Sequence, residues 1–176
     1  MANAIKKITH TNGSKAYLGN IETAAIRGVE QGLTQLKYMD IKSQTDTATE
    51  TLSAADAGKV ILIPNVGQDS IYSLPAPQVG LHFNCVGFGA LAADTHDVSF
   101  HTGTLNTDYF HGAIVHHDSD QTSQTTAVVW GDGDSNDQIK LDVPEAFDIH
   151  FMGKDSTSWY VWGWAASATL ITIADS

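Results

Sequence analysis

Short runs of β-branched, aliphatic and aromatic residues recur along most of this 176-residue chain, closed by Gly, Pro, Asn, Asp or Ser. Lys59 to Ile63 is such a run, bounded by Ala55-Asp56-Ala57-Gly58 before it and Pro64-Asn65-Val66-Gly67 after it, the punctuation of a strand. Gly58 stands where a tight turn needs a positive φ, and Pro64 ends the run by removing a ladder donor. Ile71 to Leu74 is a second short strand, closed by Pro75 and Pro77, whose fixed φ and missing N–H groups suit a sheet edge or a corner. Leu81, Phe83 and Cys85 then alternate with His82 and Asn84, a period-two pattern with one apolar face. Asp97–His101, Ala113–His116, Thr125–Trp130, Gln138–Leu141, Phe147–Met152, Ser158–Trp164 and Thr169–Ile173 continue the series.

About ten strands without a convincing helix predict an all-β fold, an antiparallel β-sandwich or barrel, jelly-roll-like, over residues 46–176. No fixed repeat period is visible, so a solenoid or propeller is not expected. Residues 1–45 read differently, as an extended or partly helical N-terminal arm. Met1 to Gly19 is polar and holds the turn signal Asn12-Gly13. Ile21, Ala25, Val29, Leu33 and Leu36 fall near helical spacing, yet Gly28 and Gly32 each cost a helix about 1 kcal/mol. The segment is compatible with a helix, with two strands, or with an arm that orders against a partner. Lys42 to Thr49 is polar and reads as a connector or hairpin turn.

Charge sharpens this division. Residues 1–42 hold six basic residues against three acidic ones, and residues 43–176 hold three against seventeen, giving +3 and −14. A strongly acidic body repels nucleic acid and its own copies. A basic lead segment suits docking on an acidic protein surface, and Lys6, Lys7, Lys15 and Arg27 are the charges to test. The alternative is a partly ordered terminus whose charge has no role. The single cysteine, Cys85, lies inside a strand pattern and reads as a small buried hydrophobe. No apolar run approaches the roughly 18 residues needed to cross a bilayer, and the N-terminus lacks the apolar segment of a signal peptide. Synthesis in a reducing cytosol, with no membrane partner, is the expectation.

The segment Leu52-Ser53-Ala54-Ala55-Asp56-Ala57-Gly58-Lys59, followed by a strand, then Leu74-Pro75-Ala76-Pro77 and Gly80-Leu81-x-Phe83, resembles a pattern of bacteriophage virion structural proteins. Capsid decoration (cement) proteins are the nearest match, with fibre and tail modules next. Ser158-Trp159-Tyr160-Val161-Trp162-Gly163-Trp164 and the closing Leu170 to Ser176 resemble how such chains finish, and these segments span about a third of the sequence. The resemblance implies a non-enzymatic virion protein on the capsid exterior, partnered by the major capsid protein and by its own copies as a homotrimer. It implies no cofactor and no nucleic-acid partner. Its alternative is a tail fibre or receptor-binding module that recognises host glycans.

Tyr160, Trp162 and Trp164 share one face of a strand, with Val161 and Ala165 on the other. Such a stripe ordinarily packs in a core; a sugar-stacking platform or a subunit interface is the functional alternative. Asp132, Asp134 and Asn136 place oxygen ligands at alternate positions, like the opening of a calcium loop. An EF-hand also needs Gly at its sixth position and Glu at its twelfth, where this chain has Asp137 and Val143. A solvated hairpin turn explains them better. His116 and His117 are metal-ligand types, but neighbours on a strand point to opposite faces. His101 and His111 could meet across a hairpin, with solvated loop histidines as the default. No Gly-x-Ser-x-Gly elbow and no glycine-rich phosphate loop occurs.

Overall fold

The computed structural model describes residues 6–9, 15–18, 40–87, 96–120 and 125–175. The chain divides into two compact units, Met1–Met39 and Asp40–Ser176. In the first, β1 (Lys6–Thr9) and β2 (Lys15–Leu18) pair antiparallel, with Lys6 opposite Leu18 and Thr9 opposite Lys15. The stretch Ile21–Met39, including Arg27, lies outside the described residues.

The second unit is an all-β sandwich of two mixed sheets. Its larger sheet contains β3 (Ile41–Ser43), β5 (Val60–Leu62), β7 (His82–Gly87), β9 (Tyr109–Asp118), β10 (Thr126–Asp132), β12 (Ala146–Gly153) and β13 (Ser158–Ser167). Its smaller sheet contains β4 (Thr49–Thr51), β6 (Ser70–Ser73), β8 (Val98–His101), β11 (Gln138–Leu141) and β14 (Thr172–Ala174). The spatial orders are β10-β9-β13-β12-β7-β5-β3 and β14-β11-β8-β6-β4.

The expected all-antiparallel pairing is corrected by the path of the chain. From β3 to β8 each strand crosses to the opposite sheet, so strands that return to one sheet run the same way. β3, β5 and β7 pair parallel, as do β4, β6 and β8. This makes a short two-layer coil of three rungs without a sequence period, because the successive corners differ in length and chemistry. The crossover that a parallel pair requires is supplied by a strand of the facing sheet. From β9 onward, the consecutive pairs β9–β10 and β12–β13 are antiparallel, while β13 lies parallel to β9 over ten residue pairs. Ile41–Ser43, which overlaps the start of the Lys42–Thr49 segment read as a connector or hairpin turn, is the edge strand of the larger sheet. Ser70–Ser73 is not at an edge, since β8 and β4 flank it.

Period-two alternation fills the core. Phe83, Cys85, Phe147, Ile149, Phe151, Trp159 and Ala165 from the larger sheet are fully buried. They meet Tyr72, Phe100, Ile139 and Leu141 from the smaller one. Phe100 bridges the sheets, its ring 5.2 Å from Phe151 and 5.8 Å from Phe147, centroid to centroid. Full burial of each such side chain stabilises the fold by about 1.5–3 kcal/mol. Burial also raises the Cys85 thiol well above its ordinary range, which fits its expected role as a small hydrophobe.

Leu52 to Lys59 is the corner from β4 to β5. Leu52 drops into the core, and Ala54–Asp56 form one turn of 3-10 helix. One Asp56 carboxylate oxygen accepts the Ser53 N–H at 3.0 Å, the Ser53 hydroxyl at 2.8 Å and the Lys42 ammonium at 3.1 Å. The other accepts Lys59 at 3.2 Å. Burial pushes this carboxyl up, but the Ser53 hydroxyl and N–H and the two lysines outweigh it, leaving the group well below the usual carboxylate range. Gly58, at φ +81°, turns the chain into β5. The segment that carries the virion resemblance is therefore a structural staple, with each polar group committed to holding a corner.

Candidate functional site

The site with most exposed chemistry is the outer face of the larger sheet. One row crosses all seven strands in register: Trp130, Ala113, Trp162, His150, Asn84, Val60 and Ile41. A parallel row holds His111, Tyr160, Met152 and His82. Trp130 is 70% exposed, Trp162 41% and Tyr160 37%.

The expectation that the Tyr160/Trp162/Trp164 stripe packs in a core is corrected here. Trp159, Val161 and Ala165 occupy the interior, and the stripe faces outward. The smaller sheet covers only one side of β13, and strand alternation forces the other side out. Within the stripe, the ring of Tyr160 meets His111 edge-on at 5.6 Å and has the Lys154 ammonium 5.8 Å above it. Trp164 lies edge-on to His117 at 6.2 Å.

Trp162 lies against a pair of histidine rings. Its ring lies 5.1 Å from His150 with an interplanar angle of 4°, and 5.8 Å from His82 at 16°. His82 Nε2 and His150 Nδ1 are 3.2 Å apart, close enough to share one proton in a hydrogen bond. His150 Nε2 is also 3.2 Å from Asp148 Oδ1, off the line of a directed hydrogen bond. Burial first, and the nearby His150 second, lower the His82 pKa. This places three titratable side chains behind one indole. Among the described residues no serine, threonine or cysteine is hydrogen-bonded to either histidine.

The remaining candidates separate. Lys6, Lys7 and Lys15 lie on the β1–β2 pair, and Arg27 lies outside the described residues. Asp132, Asp134 and Asn136 form no hairpin; they turn the chain from β10 in one sheet to β11 in the other. Asp132 accepts the Ser135 hydroxyl at 2.6 Å and the N–H groups of Asp134, Ser135 and Asn136 at 3.0–3.2 Å, which pull its carboxyl far below the ordinary range. Asn136 Oδ1 accepts the Asp132 N–H in return. Among the described residues no three His, Cys, Asp or Glu side chains gather as metal ligands would.

His116 and His117 do point to opposite faces. His116 is inward and buried rather than solvated, and burial lowers its pKa. His101 sits in the smaller sheet against Gln138 and His111 in the larger, so no hairpin joins them. Sequence reasoning missed His82, His150, Trp130 and Ala113. The first two were legible only as the polar half of an alternation, and the last two only once β10 and β13 are known to flank β9.

Compared with known proteins, the chain matches no family model and no curated protein.

Proposed function

We propose that this chain is a non-enzymatic bacteriophage virion protein that decorates and stabilises the outside of the capsid through its N-terminal segment. The observation that carries this reading is the coincidence of a structural division with a charge division. Met1–Met39 holds five basic residues against two acidic ones, and Asp40–Ser176 holds four against eighteen. A compact acidic sandwich faces solvent and resists self-aggregation, while a separate basic unit binds an acidic lattice. The partners are the major capsid protein and further copies of the chain, arranged as a homotrimer. A protein that binds the assembled shell and not its free subunits stabilises the shell by mass action.

The test is light scattering after size exclusion, with undecorated capsids mixed with the full chain or with a chain lacking residues 1–20, which carry Lys6, Lys7 and Lys15. The full chain is expected to co-migrate with capsids, and the truncated chain to lose at least about tenfold in affinity for them, equal to about 1.4 kcal/mol of binding. Unchanged occupancy without residues 1–20 would remove the arm as the anchor.

A further inference from the structure

Among the described residues the sandwich has four sheet edges, and β3, β4 and β14 are each three residues long. The fourth, β10, has seven residues, paired one to one against β9 without a bulge. Thr125 to Gly131 holds neither a charged residue nor a proline. Folded proteins blunt an edge by shortness, charge, proline or a bulge, because its free backbone groups template another strand. β10 has none of these. The direction of its backbone follows from one bond, in which the Asp118 N–H donates to the Thr125 carbonyl at 2.9 Å. Residues of an antiparallel strand alternate, so Ala127, Val129 and Gly131 turn their backbone groups to β9 as Thr125 does. Thr126, Val128 and Trp130 turn theirs to the open side. Asp132 is in the same phase, and its N–H is taken on that side by Asn136 Oδ1 at 2.9 Å. No backbone group among the described residues pairs with the open-side groups of Thr126, Val128 or Trp130. The side chains of these residues are exposed as well, Val128 by 48% and Trp130 by 70%.

We propose that β10 is a self-pairing edge, to which a second copy of this chain adds its own β10, antiparallel across a two-fold axis at Val128. In that register Val128 faces the partner's Val128, and Thr126 faces the partner's Trp130. Each open N–H and C=O of Thr126, Val128 and Trp130 then meets one of the partner's. Their side chains share the outer face with those of the partner as cross-strand pairs. Asp132, the one charge on the strand, falls beyond the paired residues. The occupant follows from symmetry and charge. A two-fold axis sets one patch against itself, so the same strand supplies donors and acceptors in matching number and length. A charged partner strand would find no counter-charge between Thr125 and Gly131, whereas a copy brings no charge that needs one. The rest of Asp40–Ser176, with four basic residues against eighteen acidic ones, repels its copy. Added salt screens that repulsion and leaves the backbone pairing, so association tightens as salt rises. This inference does not depend on the capsid reading, since it concerns the sandwich and not residues 1–45. A two-fold contact at β10 leaves any three-fold contact to another surface.

The experiment is light scattering after size exclusion on the full chain, at low and at high salt. An even number of copies is expected, with the associated fraction rising as salt is added. Val128→Lys sets two ammonium groups opposite one another at the axis and should weaken association at least about tenfold. Oxidised Val128→Cys is expected to run as a covalent dimer on a denaturing gel. Facing residues of a bonded pair lie about 5.5 Å apart at Cα, within disulfide reach. Cys85 is buried and does not compete. Ile41→Cys, exposed at the opposite edge of the same sheet, should give no covalent dimer. Thermal melts report whether each variant is folded, and Val128→Cys serves if Val128→Lys does not fold. A chain that stays monomeric at about 1 mM overturns the proposal, as does an assembly that a folded Val128→Lys leaves intact. Equal cross-linking at both edges overturns it too. So does an assembly that salt dissociates, because attraction between opposite charges would then hold the copies together at another surface.

Discussion

Strands β12 and β13 carry aromatic residues on both sides, and the two sides do different work. Phe147, Phe151 and Trp159 face the smaller sheet and lose all contact with solvent. Tyr160 and Trp162, a single residue step out of phase, keep 37% and 41% of their surface exposed. Aromatic content is similar on both faces, so it cannot be what separates them. What separates them is cover: the inner side has Phe100 and Tyr72 of the facing sheet packed on it, while among the described residues the outer side is met by side chains of its own sheet, such as the group of Trp162, His150 and His82. The inner face holds the fold together, and the outer face leaves Tyr160 and Trp162 partly exposed.

Substitution on the inner side should show the largest effect. Phe151→Ala removes a ring that touches both Phe100 and Phe110, and is expected to cost about 3–5 kcal/mol in urea unfolding. A loss below about 1 kcal/mol would mean that the two faces are not energetically distinct.

Titration sharpens the contrast at a smaller scale. His116 is the buried inward imidazole of β9, its Nδ1 without a hydrogen-bond partner among the described residues. Burial holds its pKa below the ordinary value of 6.5, against the opposing pull of Asp118. Its contribution to stability is thus full above about pH 6.5 and is lost as pH falls through the lower folded value. His82 and His101 are lowered in the same direction, chiefly by burial. Unfolding free energy measured at descending pH should therefore decline below about 6.5, and less steeply in His116→Gln. A flat profile would place these imidazoles in water.

The smallest effect belongs to the outer side. Trp162→Ala is expected to cost less than about 1 kcal/mol, because the ring is already partly solvated and the His150 and His82 rings it covers are themselves only partly buried. A loss comparable to that of Phe151→Ala would identify the outer stack as a second core.

Much of the sandwich was legible from residue order. The runs at Gln138–Leu141, Phe147–Met152 and Asp97–His101 coincide with β11, β12 and β8 to within two residues, because alternation and turn residues are local signals. Gly58 has the positive φ that its place before a strand demanded. The candidate site was legible only in part. Tyr160, Trp162 and Trp164 were recognised as sharing a face, but a strand with large residues on both sides does not say which side the other sheet will cover. Trp130 carried no signal, since Val128, Val129 and Trp130 give both faces of β10 apolar residues. Asp132 looked like a ligand because its residue type is right, and only the fold shows its oxygens already taken by its own turn.

By itself, then, the sequence determined the strands, the corners and the charge division, because each depends on residues within a few positions of one another. Only the tertiary structure decided which strands pair, and in which direction. β3 to β8 alternate between sheets, so their pairing is parallel and reaches across residues that no local pattern links. The same long-range pairing sets Ala113 between Trp162 and Trp130, forty-nine positions from one and seventeen from the other. Alternation supplies each strand with two faces, but the inside is fixed by what packs against it.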